Sequence, residues 1–296
     1  LYSNFLRTQG IPEGHIFTNG HPAYALYREP YRRFFPSRGE LAQKYGLDPA
    51  KRWIFFPENY NWAFYAPATI ERFIADGQSA DDIVVMRHFC NISLQEVLRW
   101  CCEVAGQEKI ELIIRPRPAT HIDDFRSFAQ KVIAEFPPNL RIIQGEGVRE
   151  WILASDLVVS SHSTSLIEAA LAQKPSYMLV PFSVPAVLHV AWHDFVPKIN
   201  SSGQFMTICH EPGDGSTPSY LQEWSEQTLM SNGDAIQNLA GKLEMLATGK
   251  ALLPPKIDKR KYTTIAKRVI PERLWALYHR AKAINAAILE EYRKDI

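Results

Sequence analysis

The sequence predicts an α/β fold built on a parallel sheet, and three observations support this prediction. The stretch 157–182 reads as a strand, a turn of hydroxyl residues, a helix and a second strand, which is the unit of parallel α/β folds. Further short apolar runs alternate with amphipathic segments along the chain. Of the 296 residues, 46% are hydrophobic, which is enough for a large buried core.

Hydrophobic patterning places the strands and helices. The predicted buried strands are 53–57, 111–114, 140–143, 157–160 and 177–180. The predicted helices, besides the one in the central unit, are 2–9, 67–76, 93–105, 122–135, 147–155, 233–248 and 271–294. Residues 83–86 fit a strand or a buried extended segment, 15–18 fit a short strand, and 205–209 fit an edge strand.

The turn after strand 157–160 has the chemistry of an anion site. Its polar members are Ser160, Ser161, His162, Ser163 and Thr164. A helix that starts there exposes unpaired backbone N–H groups, and the hydroxyls beside them can donate to a phosphate. Glu168, about one turn into the helix, is placed to accept hydrogen bonds from ribose hydroxyls. The alternative is that a serine merely caps the helix and Glu168 is a solvated acid.

Polar residues also follow three earlier strands of the predicted sheet. They are Glu58 after the first strand, Arg115 and Arg117 after the second, and Gln144 and Glu146 after the third. Ligands of open parallel sheets bind beyond the carboxyl ends of the strands, so we expect these side chains to face one crevice. The two arginines alternate with prolines, which keep the backbone extended, and they suit a phosphate or a carboxylate. The alternative is a surface loop without a ligand.

A second polar cluster, His189, His193 and Asp194, follows the last predicted strand. The spacing is not a standard zinc pattern, and no third ligand group is evident, so no metal site is predicted. We expect a polar loop that lines the crevice.

Composition argues against several functional classes. The net charge of +1 gives no reason to expect a nucleic-acid partner. The four cysteines lack metal-type spacing, which fits a reducing, cytoplasmic setting. No apolar run is long enough to span a membrane, and no signal peptide is visible. Because the first residue is leucine and not methionine, we expect a preceding domain. The basic and aromatic segment 27–38 fits a solvated helix with a buried aromatic stripe or, as the alternative, peripheral contact with a membrane.

The order of these parts resembles the donor-binding half of GT-B glycosyltransferases, in which two Rossmann-like domains face each other. The hydroxyl turn, Glu168-Ala169 and Gln173-Lys174-Pro175 resemble the family pattern of hydroxyl turn, Glu-Ala and Gly-Lys-Pro, with glutamine in place of glycine. Residues 115–118 are similar to the Arg/Lys-Pro-His-Pro of bacterial surface-carbohydrate and capsule transferases, including those that use CMP-Kdo. Here Arg117 stands in place of the histidine. Gly20-His21-Pro22 resembles the entrance to the second domain, and the likeness covers about residues 15–250.

This resemblance implies a role for each candidate residue. The donor-binding set would be Arg115, Arg117, Gln144, Glu146, Ser161, His162, Ser163, Thr164 and Glu168. In this set the hydroxyls and arginines would hold the phosphate, Glu168 the ribose, and Gln144 and Glu146 the base or sugar. Glu58 would be the catalytic carboxylate, with Asp194 and His193 as alternatives. No cofactor is implied.

The expected activity is transfer of a sugar from a nucleotide-activated donor, CMP-Kdo first, to a growing bacterial surface polysaccharide. The alternatives are a CDP-glycerol-type polyol-phosphate transferase, a nucleotide-sugar epimerase, and a non-catalytic sugar-nucleotide-binding or scaffold domain. The expected partners are a nucleotide-sugar and a glycan or lipid-linked glycan acceptor, in the cytoplasm or at the inner face of the membrane. We expect residues 1–30 to end an acceptor-side domain or linker, 31–255 to form the nucleotide-sugar-binding domain, and 256–296 to be a helical segment.

Overall fold

The computed structural model describes residues 2–211, 219–230 and 233–248. The chain divides into a smaller unit, formed by residues up to 19 with those from 237 onward, and a larger unit of residues 20–236. The smaller unit contains helix α1 (Tyr2–Thr8) and the greater part of helix α11 (Ala235–Ala247). The predicted helix 271–294 lies outside the described residues.

A parallel sheet forms the centre of the larger unit. Its strands are β1 (Arg52–Pro57), β2 (Ile110–Arg115), β3 (Leu140–Ile142), β4 (Leu157–Ser160), β5 (Ser176–Leu179) and β6 (Lys198–Ile199). Their order is β3-β2-β1-β4-β5-β6, and every pair is parallel. This order is that of a Rossmann-like sheet, so the predicted fold class is confirmed. The strand order reverses between β1 and β4, where such sheets open a crevice at their carboxyl ends.

Helices cover both faces of this sheet. The helices of the larger unit are α2 (Pro22–Ala25), α3 (Arg38–Tyr45), α4 (Pro67–Ala75), α5 (Ala80–Ala105), α6 (Ile122–Val132), α7 (Val148–Ala154), α8 (Ser165–Leu171), α9 (Ser202–His210) and α10 (Tyr220–Leu229). Side chains of β1 alternate between the faces: Ile54 and Phe56 join the core formed with α5, α6 and α9, whereas Trp53 and Phe55 join the core formed with α3 and α7. The strands are therefore buried on both faces, which explains their continuous apolar runs.

The predicted extended segment 83–86 is wrong, because it lies inside helix α5. Ile83 and Met86 are buried at helical spacing, whereas Val84 between them is 65% exposed. Ser79 caps the helix by accepting the backbone N–H of Asp82, so the helix begins 13 residues before the predicted start at 93. Because residues 83–86 are all apolar, no helical spacing is visible within this run.

The predicted edge strand 205–209 is also wrong, since these residues belong to helix α9. Phe205 and Cys209 are buried four residues apart, and Ser201 caps the helix by accepting the N–H of Gln204. The short strand predicted at 15–18 is likewise absent: a 3₁₀ turn covers 13–15, and 16–18 have no regular structure. Strand β6 and helix α10 were not predicted.

The segment 27–38 is not a continuous helix. It holds a 3₁₀ turn at Tyr31–Phe34, and its aromatic residues differ in environment: Tyr27 is buried, whereas Phe34 is 73% exposed. Among the described residues, no helix combines the length and the apolar character needed to cross a membrane.

Trp151 provides a test of the packing between α7 and the sheet. It is fully buried against Trp53, Phe55 and Tyr45, and its indole Nε1–H donates to the Gly145 carbonyl at 2.9 Å. We expect Trp151→Ala to lower the free energy of unfolding by about 3–5 kcal/mol, because it leaves a large cavity and an unpaired carbonyl. Urea titration measures this change. The control, exposed Tyr220→Ala, should stay within about 0.5 kcal/mol, and an equally small effect of Trp151→Ala would contradict the packing described.

Candidate functional site

The candidate site is the crevice at the carboxyl ends of β1, β2, β3 and β4, formed by the loops 58–62, 115–120, 144–147 and 161–165. The loops after β1 and β4 are joined directly, since the Asn59 amide donates to the His162 carbonyl at 3.4 Å. The Ser160 hydroxyl donates to the Pro57 carbonyl at 2.5 Å just below them. The crevice thus lies at the point where the strand order reverses.

Glu58 connects two of these loops through its carboxylate. One carboxylate oxygen accepts the backbone N–H of Tyr60, and the other accepts that of Arg117 at 3.4 Å. The side chain is only 3% exposed, and burial raises its pKa to about 7, although the two N–H donors and the Arg117 charge oppose the shift. Near neutral pH this carboxyl therefore exchanges a proton while holding the loop that carries Arg117.

The second arginine of the Arg-Pro-Arg-Pro segment differs from the first in its contacts. The Arg117 side chain is partly exposed, and among the described residues its guanidinium has no hydrogen-bond or ion-pair partner. Its charge lowers the pKa of both Glu58 and His162, so it acts on groups of the loops after β1 and β4. Arg117 is therefore a cation available to an anionic ligand.

Arg115 and Gln144 hold the surrounding backbone. Arg115 is buried, and its Nε and Nη2 donate to the Glu146 carbonyl at 3.0 and 2.7 Å. The Gln144 amide donates to the carbonyls of Arg117 and Thr120 at 2.9 and 2.8 Å. These contacts fix the shape of the loops after β2 and β3, and contact of the two side chains with a donor stays a prediction.

Glu146 is occupied by neighbours on α3. It accepts hydrogen bonds from Lys44 and, at 3.1 Å, from the Tyr45 hydroxyl, and the Lys44 bond lowers its pKa. Its backbone lies in the left-handed region with φ of 61°. The preceding Gly145 packs so closely that a Cβ there would collide with the Tyr45 hydroxyl, so a larger residue would require the Tyr45 side chain to shift.

The hydroxyl turn is built mainly from internal contacts. The Ser163 hydroxyl donates to that of Ser165 at 3.2 Å and accepts the Ser165 N–H at 3.3 Å, which begins α8. Thr164 is exposed and makes no side-chain cap. Ser161 is buried beside the Tyr60 hydroxyl, and neither group makes a hydrogen bond of ordinary geometry within the described residues.

Two imidazoles near the crevice, those of His162 and His193, have a suppressed charge. The pKa of His162 falls to about 4 because the ring is buried, and the charges of His193 and Arg117 add to this effect. Burial likewise lowers the pKa of His193 to about 4, helped by His189 and Lys198. The His162 Nδ1 and the His193 Nε2 are buried without a partner in the described structure. Because His193 Nδ1 accepts the Val190 N–H, neutral His193 carries its proton on Nε2.

Asp194 and Glu168 each already contact another side chain. Asp194 is 65% exposed and contacts the His189 ring at 3.2 Å. Glu168 accepts a hydrogen bond from the Tyr27 hydroxyl, and burial together with the Glu168 charge raises the pKa of Tyr27. Glu168 therefore has a partner already, and a ribose would have to share it.

The structure therefore brings Glu58, Arg117 and His162 together, with Ser161 beside them. Sequence reasoning did not identify Asn59 and Tyr60 as the residues that connect the loops, although both follow a strand end directly. Within the described residues, no group of three or more histidine, cysteine or acidic side chains could hold a metal ion.

Comparison with known proteins shows the fold. No protein-family model and no curated protein sequence matches this chain. The wall teichoic acid polymerase TagF superposes with a TM-score of 0.52 at 11% identity, and a TagF variant soaked with CDPG superposes with 0.53 at 10% identity. Both matches cover 84% of this chain and 56% of TagF, so the chain spans little more than half of that protein. The C-terminal CMP-Kdo binding domain of WaaA from Acinetobacter baumannii matches with a TM-score of 0.40 at 12% identity, over 70% of this chain and 100% of that one. The larger unit thus has the Rossmann-like fold of GT-B proteins.

Glu58 gives the site a measurable pH dependence. A carboxyl whose pKa rises on folding, here from 4.5 to about 7, contributes stability that is complete below the lower pKa and is lost as the pH rises through the higher one. Relative to Glu58→Gln, the wild-type free energy of unfolding should therefore fall by about 3 kcal/mol between about pH 4.5 and about pH 7. Urea titrations of both proteins measure this difference, in which the histidine titrations cancel. Parallel pH profiles would contradict the buried carboxyl.

Proposed function

We propose that the crevice binds the phosphate of a nucleotide-activated donor, and that the chain is the donor-binding part of a transferase that builds a surface glycopolymer. The observation that carries this proposal is the Arg117 guanidinium, which has no partner among the described residues at the reversal point of a Rossmann-like sheet. Ligands of such sheets bind at this point, and a guanidinium suits phosphate oxygens.

The charge of the crevice favours a donor with one phosphate. His162 and His193 are uncharged at neutral pH, and the Arg115 guanidinium already donates its hydrogen bonds to the Glu146 carbonyl. Arg117 is then the cation left for the ligand among the described crevice residues. One cation matches the single phosphate of a CMP-sugar better than the two of a nucleoside diphosphate, so CMP-Kdo remains the donor to test first.

A second candidate is transfer of a polyol phosphate from a donor of the CDP-glycerol type. It is favoured by the superposition on TagF, which exceeds a TM-score of 0.5 and includes a structure soaked with CDPG. Both candidates share cytidine. They differ in the transferred group. CDP should bind more tightly than CMP only if the donor is of the CDP-glycerol type, which carries two phosphates.

We assign the proton transfer to His162 and a positioning role to Glu58. Both Glu58 oxygens are already engaged by backbone N–H groups, whereas His162 is an uncharged imidazole beside Arg117. The Arg117 charge lowers the pKa of His162, so an anionic phosphate that neutralises Arg117 should raise it. His162 would then become a stronger base for the acceptor hydroxyl at the moment the donor is bound.

A nucleotide titration tests the binding proposal. Ligand that binds only the folded state raises the melting temperature with its concentration, so CMP or CDP should raise the melting temperature of the wild-type chain. Arg117→Ala should abolish this shift, since it removes the cation that pairs with the phosphate. Arg99→Ala, which removes the same charge from the exposed face of α5, is the matched control and should keep the shift. An undiminished shift in Arg117→Ala would refute the assignment of Arg117.

The role of His162 is tested by turnover. We expect His162→Asn to lower kcat for nucleotide release from the donor by about 10²–10⁴-fold while the nucleotide thermal shift persists. His210→Asn, at the exposed end of α9, should leave kcat unchanged. Loss of nucleotide binding in His162→Asn would instead give this residue a binding role. A wild-type chain that binds nucleotide without turnover would favour the non-catalytic alternative.

A further inference from the structure

A second cavity lies at the opposite edge of the sheet from the crevice. It has a volume of about 470 Å³ and is formed where the chain enters β4 and β5. Asp156 directly precedes β4, and Lys174 lies two residues before β5. The wall is completed by the segment 29–38, the basic and aromatic stretch that the crevice does not use. A cavity of this size accommodates a small molecule or a headgroup.

The charged residues of this cavity are predominantly basic. The basic side chains are Arg32, Arg33, Arg38 and Lys174, and the acidic ones are Glu29 and Asp156. Both acids are engaged. Glu29 accepts from Arg32 at 2.5 Å, while Asp156 accepts from Arg38 at 2.8 Å and from the Trp53 N–H at 2.8 Å. Among the described residues, no acidic side chain forms an ion pair with Arg33 or Lys174, so the cavity holds two positive charges in excess.

Lys174 is the unusual member of this cluster. It lies partly buried at the end of α8, and its ammonium group makes no hydrogen bond or ion pair with any described residue. Burial lowers its pKa, and the charges of Arg38 and Arg32 act in the same direction, against the opposing effect of Asp156. A partly buried cation held among other cations is unfavourable unless an anion joins it.

The neighbouring arginines are arranged to receive such an anion. Arg38 is fixed, because it is bound to Asp156 and to the Lys51 carbonyl and its guanidinium stacks 4.6 Å from the Trp53 ring. Arg32 is held only by an exposed pair with Glu29, which contributes little stability and can exchange its partner. Arg33 contacts the exposed Phe34 ring at 5.2 Å and lies at the rim.

We propose that this cavity is an anion site for a phosphate group, held by Lys174 and Arg33 against the fixed guanidinium of Arg38. The phosphate can belong to a soluble phosphorylated compound or to the headgroup of an anionic lipid, since both present the same oxygens to these cations. The site is separate from the crevice and does not depend on the function proposed for it.

The test measures binding of inorganic pyrophosphate and of lipid vesicles by four variants. Lys174→Gln removes the central charge, and Arg33→Gln removes an exposed one, so at least one of them should fold normally. Lys131→Gln, an exposed lysine at the end of α6, is the matched charge control. Arg117→Ala removes the cation of the crevice and leaves this cavity intact.

If the site takes a soluble phosphorylated compound, pyrophosphate should raise the melting temperature of the wild type, and equally that of Lys131→Gln and Arg117→Ala. Lys174→Gln and Arg33→Gln should weaken pyrophosphate binding by about tenfold or more, because each removes a charge-assisted contact. If the site takes a lipid headgroup, the wild type should sediment with vesicles of phosphatidylglycerol and phosphatidylcholine in equal parts, whereas neither cavity variant should. Vesicles of pure phosphatidylcholine should not sediment the wild type. The proposal would be overturned if the wild type bound neither probe. It would also be overturned if both cavity variants bound the probes as well as the wild type does, or if only Arg117→Ala lost binding.

Discussion

The geometry of the crevice depends on the hydrogen bonds that the buried Glu58 carboxylate accepts. It accepts backbone N–H groups from the loops after β1 and β2, while Gln144 binds the carbonyl of Arg117 from the loop after β3. Hydrogen bonds from N–H groups favour the ionised form of a carboxyl, so the position of Arg117 and the ionisation of Glu58 are coupled. The loop after β4 joins the same network through Asn59 and His162.

The fold could be predicted largely from the sequence because burial on both faces gives the strands β1, β2 and β4 unmistakable apolar runs. Prediction failed where an apolar run belonged to a helix. Residues 83–86 and 205–209 are short, and helical spacing becomes visible only over the longer elements α5 and α9 that contain them. Strand β6 has only two residues, too few for any pattern.

That polar residues gather at one edge of the sheet could also be predicted, because the carboxyl ends of successive parallel strands meet there. The division of roles could not. Arg115 and Arg117 are two residues apart with the same chemistry, yet one binds the Glu146 carbonyl and the other is free of described partners. That difference arises from the loop after β3, and the low pKa of His162 arises from burial and neighbouring charges. Both depend on contacts between residues far apart in sequence.

The central claim is that a nucleotide binds where β1 and β4 diverge, and hydrogen–deuterium exchange of the chain with and without CMP tests it most directly. We expect slower exchange in the loops 58–62, 115–120 and 161–165 when CMP is bound, with little change in 29–38. The same protection should be lost in Arg117→Ala. Protection that misses these loops, or that appears only around 29–38 and Lys174, would contradict the proposed donor site.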